Sequence, residues 1–172
     1  MTEPPRPGFD SFELRAALGS FATGVTIVTT VDAEGQPRGL TANAFCSVSL
    51  EPPLLLVCIG KGADSHRHVP SAGRFAVSVL SDSQEHISRR LATTDADKFH
   101  GVPLLRSRSG LPLIDGALAH FECRLVQAHE GGDHTIYIGA IERFEIHGGK
   151  PLLFFGGRYH RLDPKTGPGP IP

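Results

Sequence analysis

Residues 25–31 are β-branched at every position (Val25, Thr26, Ile27, Val28, Thr29, Thr30, Val31) and predict a strand, because branching at Cβ stiffens χ1 and suits a pleated backbone. A turn over residues 32–35 returns the chain into residues 38–45, so the two segments predict a hairpin. Within the second segment Leu40, Ala42 and Ala44 point one way, and Thr41, Asn43 and Phe45 the other. Small hydroxyl residues then alternate with apolar ones over residues 46–49, and Pro52 and Pro53 end the stretch, which reads as a serine-lined bend. Residues 54–59 are a continuous apolar run, expected as a central strand, and residues 75–80 predict another. Ala119, Phe121, Cys123 and Leu125 alternate with His120, Glu122, Arg124 and Val126 in a strand over residues 117–128. A turn at residues 130–133 leads to a long strand over residues 134–146, and residues 151–155 form a last short one.

Helical signals are fewer. Asp10 and Glu13 have capping-box spacing, Phe9 and Leu14 can staple across it, and Gly19 is the natural stop, which predicts a helix at residues 11–18. A short helix over residues 66–72 is limited by Pro70, and Asp82 with Glu85 caps a surface helix over residues 83–92. Residues 93–108 read as mixed, a loop with a turn of helix. Six or seven strands joined by hairpins, with two or three peripheral helices, predict a mainly β fold, an antiparallel Greek-key barrel rather than a doubly wound parallel sheet. One domain over residues 11–162 is expected, between a flexible arm at residues 1–10 and a disordered tail at residues 163–172.

At 172 residues, with 40% hydrophobic and 20% charged residues, the chain suits one globular domain. A net charge of −1 gives no electrostatic case for nucleic acid or an anionic membrane as partner. No apolar run approaches the roughly 20 residues of a membrane helix, and residues 1–8 lack the apolar core of a signal peptide. Cys46, Cys58 and Cys123, far apart in apolar segments, read as reduced, buried thiols of a cytoplasmic protein.

Candidate chemistry is spread thinly. No Gly-x-Gly-x-x-Gly follows a strand, and no P-loop, Cys-x-x-Cys or His-Glu-x-x-His occurs. His66 and His68 are two apart with no third ligand in sensible spacing, so no metal is expected. Thr41 and Asn43, running into Ser47 and Ser49, offer hydroxyls, an amide and backbone N–H groups to an anionic or amide-rich ligand, or form the polar face of an edge strand. His134 at a strand entrance suits ligand positioning or proton exchange, or is an exposed turn residue. After Gly156 and Gly157, Arg158 can meet a phosphate or carboxylate and Tyr159 can cover an aromatic ring, or both simply end a strand. Lys61 and Ser65, in a flexible loop, suit a phosphate or are solvated. These features alone name no reaction.

Their order is more specific than any one of them. Thr41, Ala42, Asn43 and Phe45; Ser47, Val48, Ser49 and Leu50 with Pro52 and Pro53; Gly132, Asp133 and His134; and Gly157, Arg158 and Tyr159 follow one another across nearly the whole chain. The chain thereby resembles the flavin reductases, the small NAD(P)H:flavin oxidoreductase components of two-component monooxygenases. The resemblance implies an FMN-binding split barrel, a homodimer, and hydride transfer from NADH or NADPH to free FMN or FAD, which then feeds a partner flavin-dependent monooxygenase. It implies that Thr41, Ala42, Asn43 and Ala44 line the isoalloxazine, that Ser47, Val48, Ser49, Lys61 and Ser65 reach the phosphate side, that His134 stands by the nicotinamide, and that Tyr159 closes over the ligands. Cys46 stands where a threonine is common in the family, and Pro70 interrupts a helix that relatives continue. The same barrel type also admits a non-catalytic flavin- or haem-binding protein, or a flavin enzyme that oxidises its own organic substrate.

Overall fold

The computed structural model of the chain describes residues 8–162, so most of the expected arm and all of the expected tail fall outside the described residues. Helix α1 (Ser11–Leu18) forms where the sequence predicts it. Asp10 caps it, its Oδ1 accepting the Phe12 N–H at 3.1 Å. The expected staple buries neither of its members: Phe9 and Leu14 remain 53% and 42% exposed, and no residue of α1 is buried.

The chain then passes through β1 (Thr23–Gly24), β2 (Thr26–Val31), β3 (Pro37–Ala42), β4 (Phe45–Leu50) and β5 (Pro53–Gly60). A 3-10 turn at Asp64–Arg67 leads into α2 (His68–Ala72) and β6 (Arg74–Val79). Pro70 is the third residue of α2, where its missing N–H costs no intrahelical bond. A second 3-10 turn at Asp82–Gln84 opens α3 (Glu85–Leu91). Its capping box is Ser81 with Gln84, one residue ahead of the expected Asp82 and Glu85 pair. There follow β7 (Leu104–Arg106), β8 (Pro112–Ile114), β9 (Ala119–Gly131), β10 (His134–Ile146), β11 (Leu152–Phe155) and β12 (Arg158–Arg161).

Seven strands form one antiparallel sheet in the order β3-β2-β6-β9-β10-β5-β4. β3 and β4 are neighbours in sequence yet stand at opposite ends of that order. Only Asn43 and Ala44 separate them, so this dipeptide carries the chain across the seam where the barrel comes round on itself. A three-stranded sheet, β1-β11-β12, and the β7-β8 hairpin complete the fold.

Two apolar clusters explain the strand patterns. The barrel interior holds Val28, Leu55, Val57, Ile59, Phe75 and Tyr137. A second cluster under α3 holds Ile27, Leu80, Leu91, Ile114 and Leu152. β2 lies between them and is buried on both faces, which is why residues 25–31 show no polar alternation. Its threonines are buried because each finds a carbonyl: Thr26 Oγ1 donates to Ala42 O at 2.7 Å and Thr30 Oγ1 to Arg74 O at 2.9 Å. Each fully buried aliphatic side chain contributes about 1.5–3 kcal/mol of transfer free energy to this arrangement.

Four expectations are corrected. The serine-lined bend is strand β4, because residues 45–50 pair with β5 and cross a bulge between Ser47 and Ser49. Cys46 is exposed rather than buried, because it stands opposite Leu56 on the face turned away from the barrel interior. Gly156 and Gly157 do not end the last strand. With φ of 57° and 75° they form the tight turn from β11 into β12, a geometry that favours glycine. The β7-β8 hairpin lies within and just beyond the stretch expected as loop.

Candidate active site

The seam at Asn43 and Ala44 opens onto a groove of about 600 Å³. Both residues are exposed there. Their backbones are nevertheless fixed: Asn43 O accepts the Phe45 N–H at 3.0 Å, and Ala44 O accepts the Cys58 N–H at 3.1 Å. The groove is lined by Cys46, Leu56 and Cys58 from β4 and β5, by Phe154 and Gly157 from the β11-β12 hairpin, and by the end of α1 with Phe21 and Thr23. Leu56 and Cys58 alternate with the core residues Leu55, Val57 and Ile59, so they face away from the barrel interior. Thr23 Oγ1 is buried at this site and, among the described residues, has no hydrogen-bond partner. A mostly apolar cleft of this size with a few polar groups suits a planar organic ligand.

A smaller depression of about 190 Å³ shares Asn43 and Phe154 with the groove and adds Thr41 and Tyr159. Ser88 of α3 ties these two together. Thr41 Oγ1 donates to Ser88 O at 2.6 Å, and Ser88 Oγ lies 2.8 Å from the Tyr159 hydroxyl. The Arg89 guanidinium sits 4.8 Å over the Tyr159 ring. Beyond Thr41 lies a second cleft of about 580 Å³ that includes Arg38, Asp64 and Lys98. Burial draws the Lys98 ammonium below its ordinary pKa, against the pull of Asp64.

The remaining sequence-selected residues spread out. Ala42 is packed in the barrel core. Ser47 and Val48 are exposed on edge strand β4, with Ser49 half-buried. Lys61 pairs with Glu130. Ser65 is 2% exposed, and its Oγ has no partner among the described residues. His134 opens β10 opposite Gly60. Two residues on, Ile136 stands opposite Cys58, so His134 shares the sheet face that Cys58 presents to the groove. Its Nδ1 lies 2.8 Å from Asp133 Oδ1, and that hydrogen bond and charge hold the Asp133 carboxyl below the usual range. The structure therefore brings Thr41, Asn43, Ala44 and Tyr159 together and sets His134 along the same face, with Lys61 beside it just past the end of β5, while Ala42, Ser47, Val48, Ser49 and Ser65 do not line the groove. Leu56, Cys58, Phe154 and Ser88 were not singled out from the sequence. The unbroken apolar run over residues 54–59 hides which of its members face outward.

The thiols give a test of this placement. Cys123 is pushed up to about 12 by burial, with Glu142 and Glu122 adding to the effect, and burial also raises Cys58. Reactivity requires thiolate and access. Iodoacetamide at mildly alkaline pH is expected to label Cys46 first, Cys58 more slowly, and Cys123 only after denaturation, as read by peptide mass spectrometry.

Comparison with known proteins agrees with the geometry. Residues 18–163 match the family model of the flavin reductase like domain, and the chain belongs to that family. It is 45% identical to an NADH-dependent FAD reductase of Streptomyces globisporus, over 93% of this chain and 90% of that protein. It is 41% identical to the reductase subunit HsaB of a flavin-dependent monooxygenase from Rhodococcus jostii, over 94% and 83% of the two. A probable flavin reductase of Rhizobium meliloti is 46% identical over 88% of this chain, which spans about half (49%) of that longer protein. Among solved structures, the NADH:FAD oxidoreductase of Streptomyces globisporus in complex with NAD and FAD fragments superposes with a TM-score of 0.87 at 44% identity, covering 92% of this chain and 96% of that one. Among the described residues, no helix is long and apolar enough to cross a membrane.

Proposed function

We infer that the protein uses NADH or NADPH to reduce free FMN or FAD and passes the reduced flavin to a flavin-dependent monooxygenase. The observation that carries this reading is the seam groove, whose mostly apolar lining and exposed Asn43 fit a tricyclic ring with a polar edge. When bound, the flavin supplies an N5 position that accepts hydride from nicotinamide C4. The protein's share is orientation, exclusion of water and electrostatics. Leu56, Phe154 and Phe21 would shield the ring. The exposed Asn43 amide would donate to its polar edge, where negative charge develops. Thr41 and Tyr159 act through Ser88, which holds the seam and β12 at a fixed separation. Arg38 and Lys98, in the cleft beyond Thr41, would suit the phosphate-bearing part, and His134 would position the nicotinamide carboxamide.

The working unit is a homodimer in the cytoplasm. Phe12, Leu18, Phe21, Leu50, Phe144 and Ile146 are 61–94% exposed on the single chain, more large apolar surface than a monomer normally leaves in water. Sedimentation equilibrium is expected to give twice the chain mass.

The deciding experiment follows reduced-nicotinamide absorbance under air with each pairing of FMN or FAD with NADH or NADPH. Oxidation that scales with free flavin supports the reading. A tightly yellow protein that leaves the nicotinamide untouched refutes it. His134→Ala is expected to raise KM for the nicotinamide about 3–10-fold, the worth of one hydrogen bond, with little change in the flavin KM. An unchanged nicotinamide KM would remove His134 from the site.

A further inference from the structure

Three metal-ligating side chains that the groove does not use converge where β10 leaves the sheet. His120 of β9 stands directly opposite Glu145 of β10, and cross-strand partners share a face. His147 lies two residues beyond Glu145, and its ring reaches the same spot: its Nε2 is 3.2 Å from His120 Nδ1 and 4.0 Å from Glu145 Oε2. The three donor atoms lie within 4.8 Å of one another.

The protonation of His120 is set by its surroundings. It is 2% exposed, and its Nε2 lies 2.8 Å from Ile114 O. A carbonyl can only accept, so Nε2 carries a hydrogen, and in the neutral ring the lone pair is on Nδ1. Ile114 is itself held, its N–H donating to Ser78 Oγ at 3.1 Å. A buried imidazole whose far nitrogen donates to a backbone carbonyl is the usual outer support of a metal-bound histidine. We propose that His120 Nδ1, His147 Nε2 and a Glu145 carboxylate oxygen bind one divalent cation of the Zn²⁺ class.

The geometry is close to what such an ion needs. Ligands about 2.05 Å from a tetrahedral ion stand about 3.3 Å apart. The two histidine nitrogens already have that separation, at 3.2 Å. Glu145 must close by up to about 1.5 Å, and its side chain, 59% exposed, is free to do so. His147 is 45% exposed on its side chain, so water can fill a fourth position. Two imidazoles and a carboxylate favour zinc, cobalt, nickel or copper over magnesium or calcium. The competing account is a hydrogen bond between two histidines with an adjacent ion pair, which has no affinity for metal. Local motifs do not reveal the cluster, because His120 meets the other two only through strand register.

This proposal is independent of the flavin reading and is tested on untagged, chelator-treated protein. Calorimetric titration with Zn²⁺ is expected to give one site per chain with a roughly micromolar Kd. Co²⁺ should bind competitively, with the visible absorption of a four- or five-coordinate site. His147→Ala should weaken zinc about 100-fold or more, and Glu145→Gln about 10-fold. Both positions are exposed, so both variants should fold, which a melting curve checks. Zinc should raise the melting temperature of the wild type and leave that of His147→Ala unchanged. Cys46→Ser should bind zinc like the wild type, since that thiol is not a ligand. A wild type with no zinc affinity tighter than about 100 µM, an equal affinity in His147→Ala, or a loss confined to Cys46→Ser would each overturn the assignment.

Discussion

Gly39→Ala is expected to destabilise the protein by about 3 kcal/mol or more and to lower its melting temperature by roughly 10 °C. A Cβ at position 39 would stand 2.4 Å from Val28 O and 3.2 Å from Thr29 Cα, both main-chain atoms of the adjoining strand β2, and 3.1 Å from Phe99 Cζ. Rotamer changes can move the phenyl ring but not the strand. β3 must therefore separate from β2 along the hairpin that leads to the seam. Gly24→Ala is the control: its Cβ would meet nothing within 4 Å, and it should melt within about 0.5 kcal/mol of the wild type. A Gly39→Ala protein that melts like that control would show that β3 has freedom the packing denies it.

The largest functional effect is expected from Ala44→Trp. Ala44 is exposed and lines the groove, so an indole there occupies ligand space without disturbing the core. The predicted result is a loss of about 100-fold in kcat/KM for flavin, about 2.7 kcal/mol of transition-state binding, with an unchanged melting curve. Parallel losses of activity and stability would make position 44 structural. Full activity would place the flavin elsewhere.

The barrel class was legible because its strands are long and their turns are chemically marked. The β2-β3 hairpin and the glycine turn before His134 both stand where the pattern puts them. What escaped depends on pairing between distant segments. Residues 46–49 look like a bend because their hydroxyls alternate with apolar residues, but an edge strand tolerates that composition on its solvent side. Gly156 and Gly157 read as the end of a strand until β12 is seen to pair back on β11. The same limit applies to the site. Asn43 and Ala44 stand out locally as small and polar residues, whereas the link from Thr41 through Ser88 to Tyr159 joins three remote elements, and only register and packing bring them together.

α1 packs none of its residues away from solvent, yet its C-terminal end walls one side of the groove. A main-chain hydrogen bond of 2.8 Å, from Gly156 N to Gly19 O, fastens that end to the β11-β12 hairpin. On the single chain, an element with no buried residue opens locally at a cost far below global unfolding, so this wall of the groove is expected to loosen before the barrel does. Amide hydrogens of residues 14–19 should accordingly exchange with deuterium long before those of β2, and residence time in the groove should follow the looseness of that wall rather than the strength of the barrel.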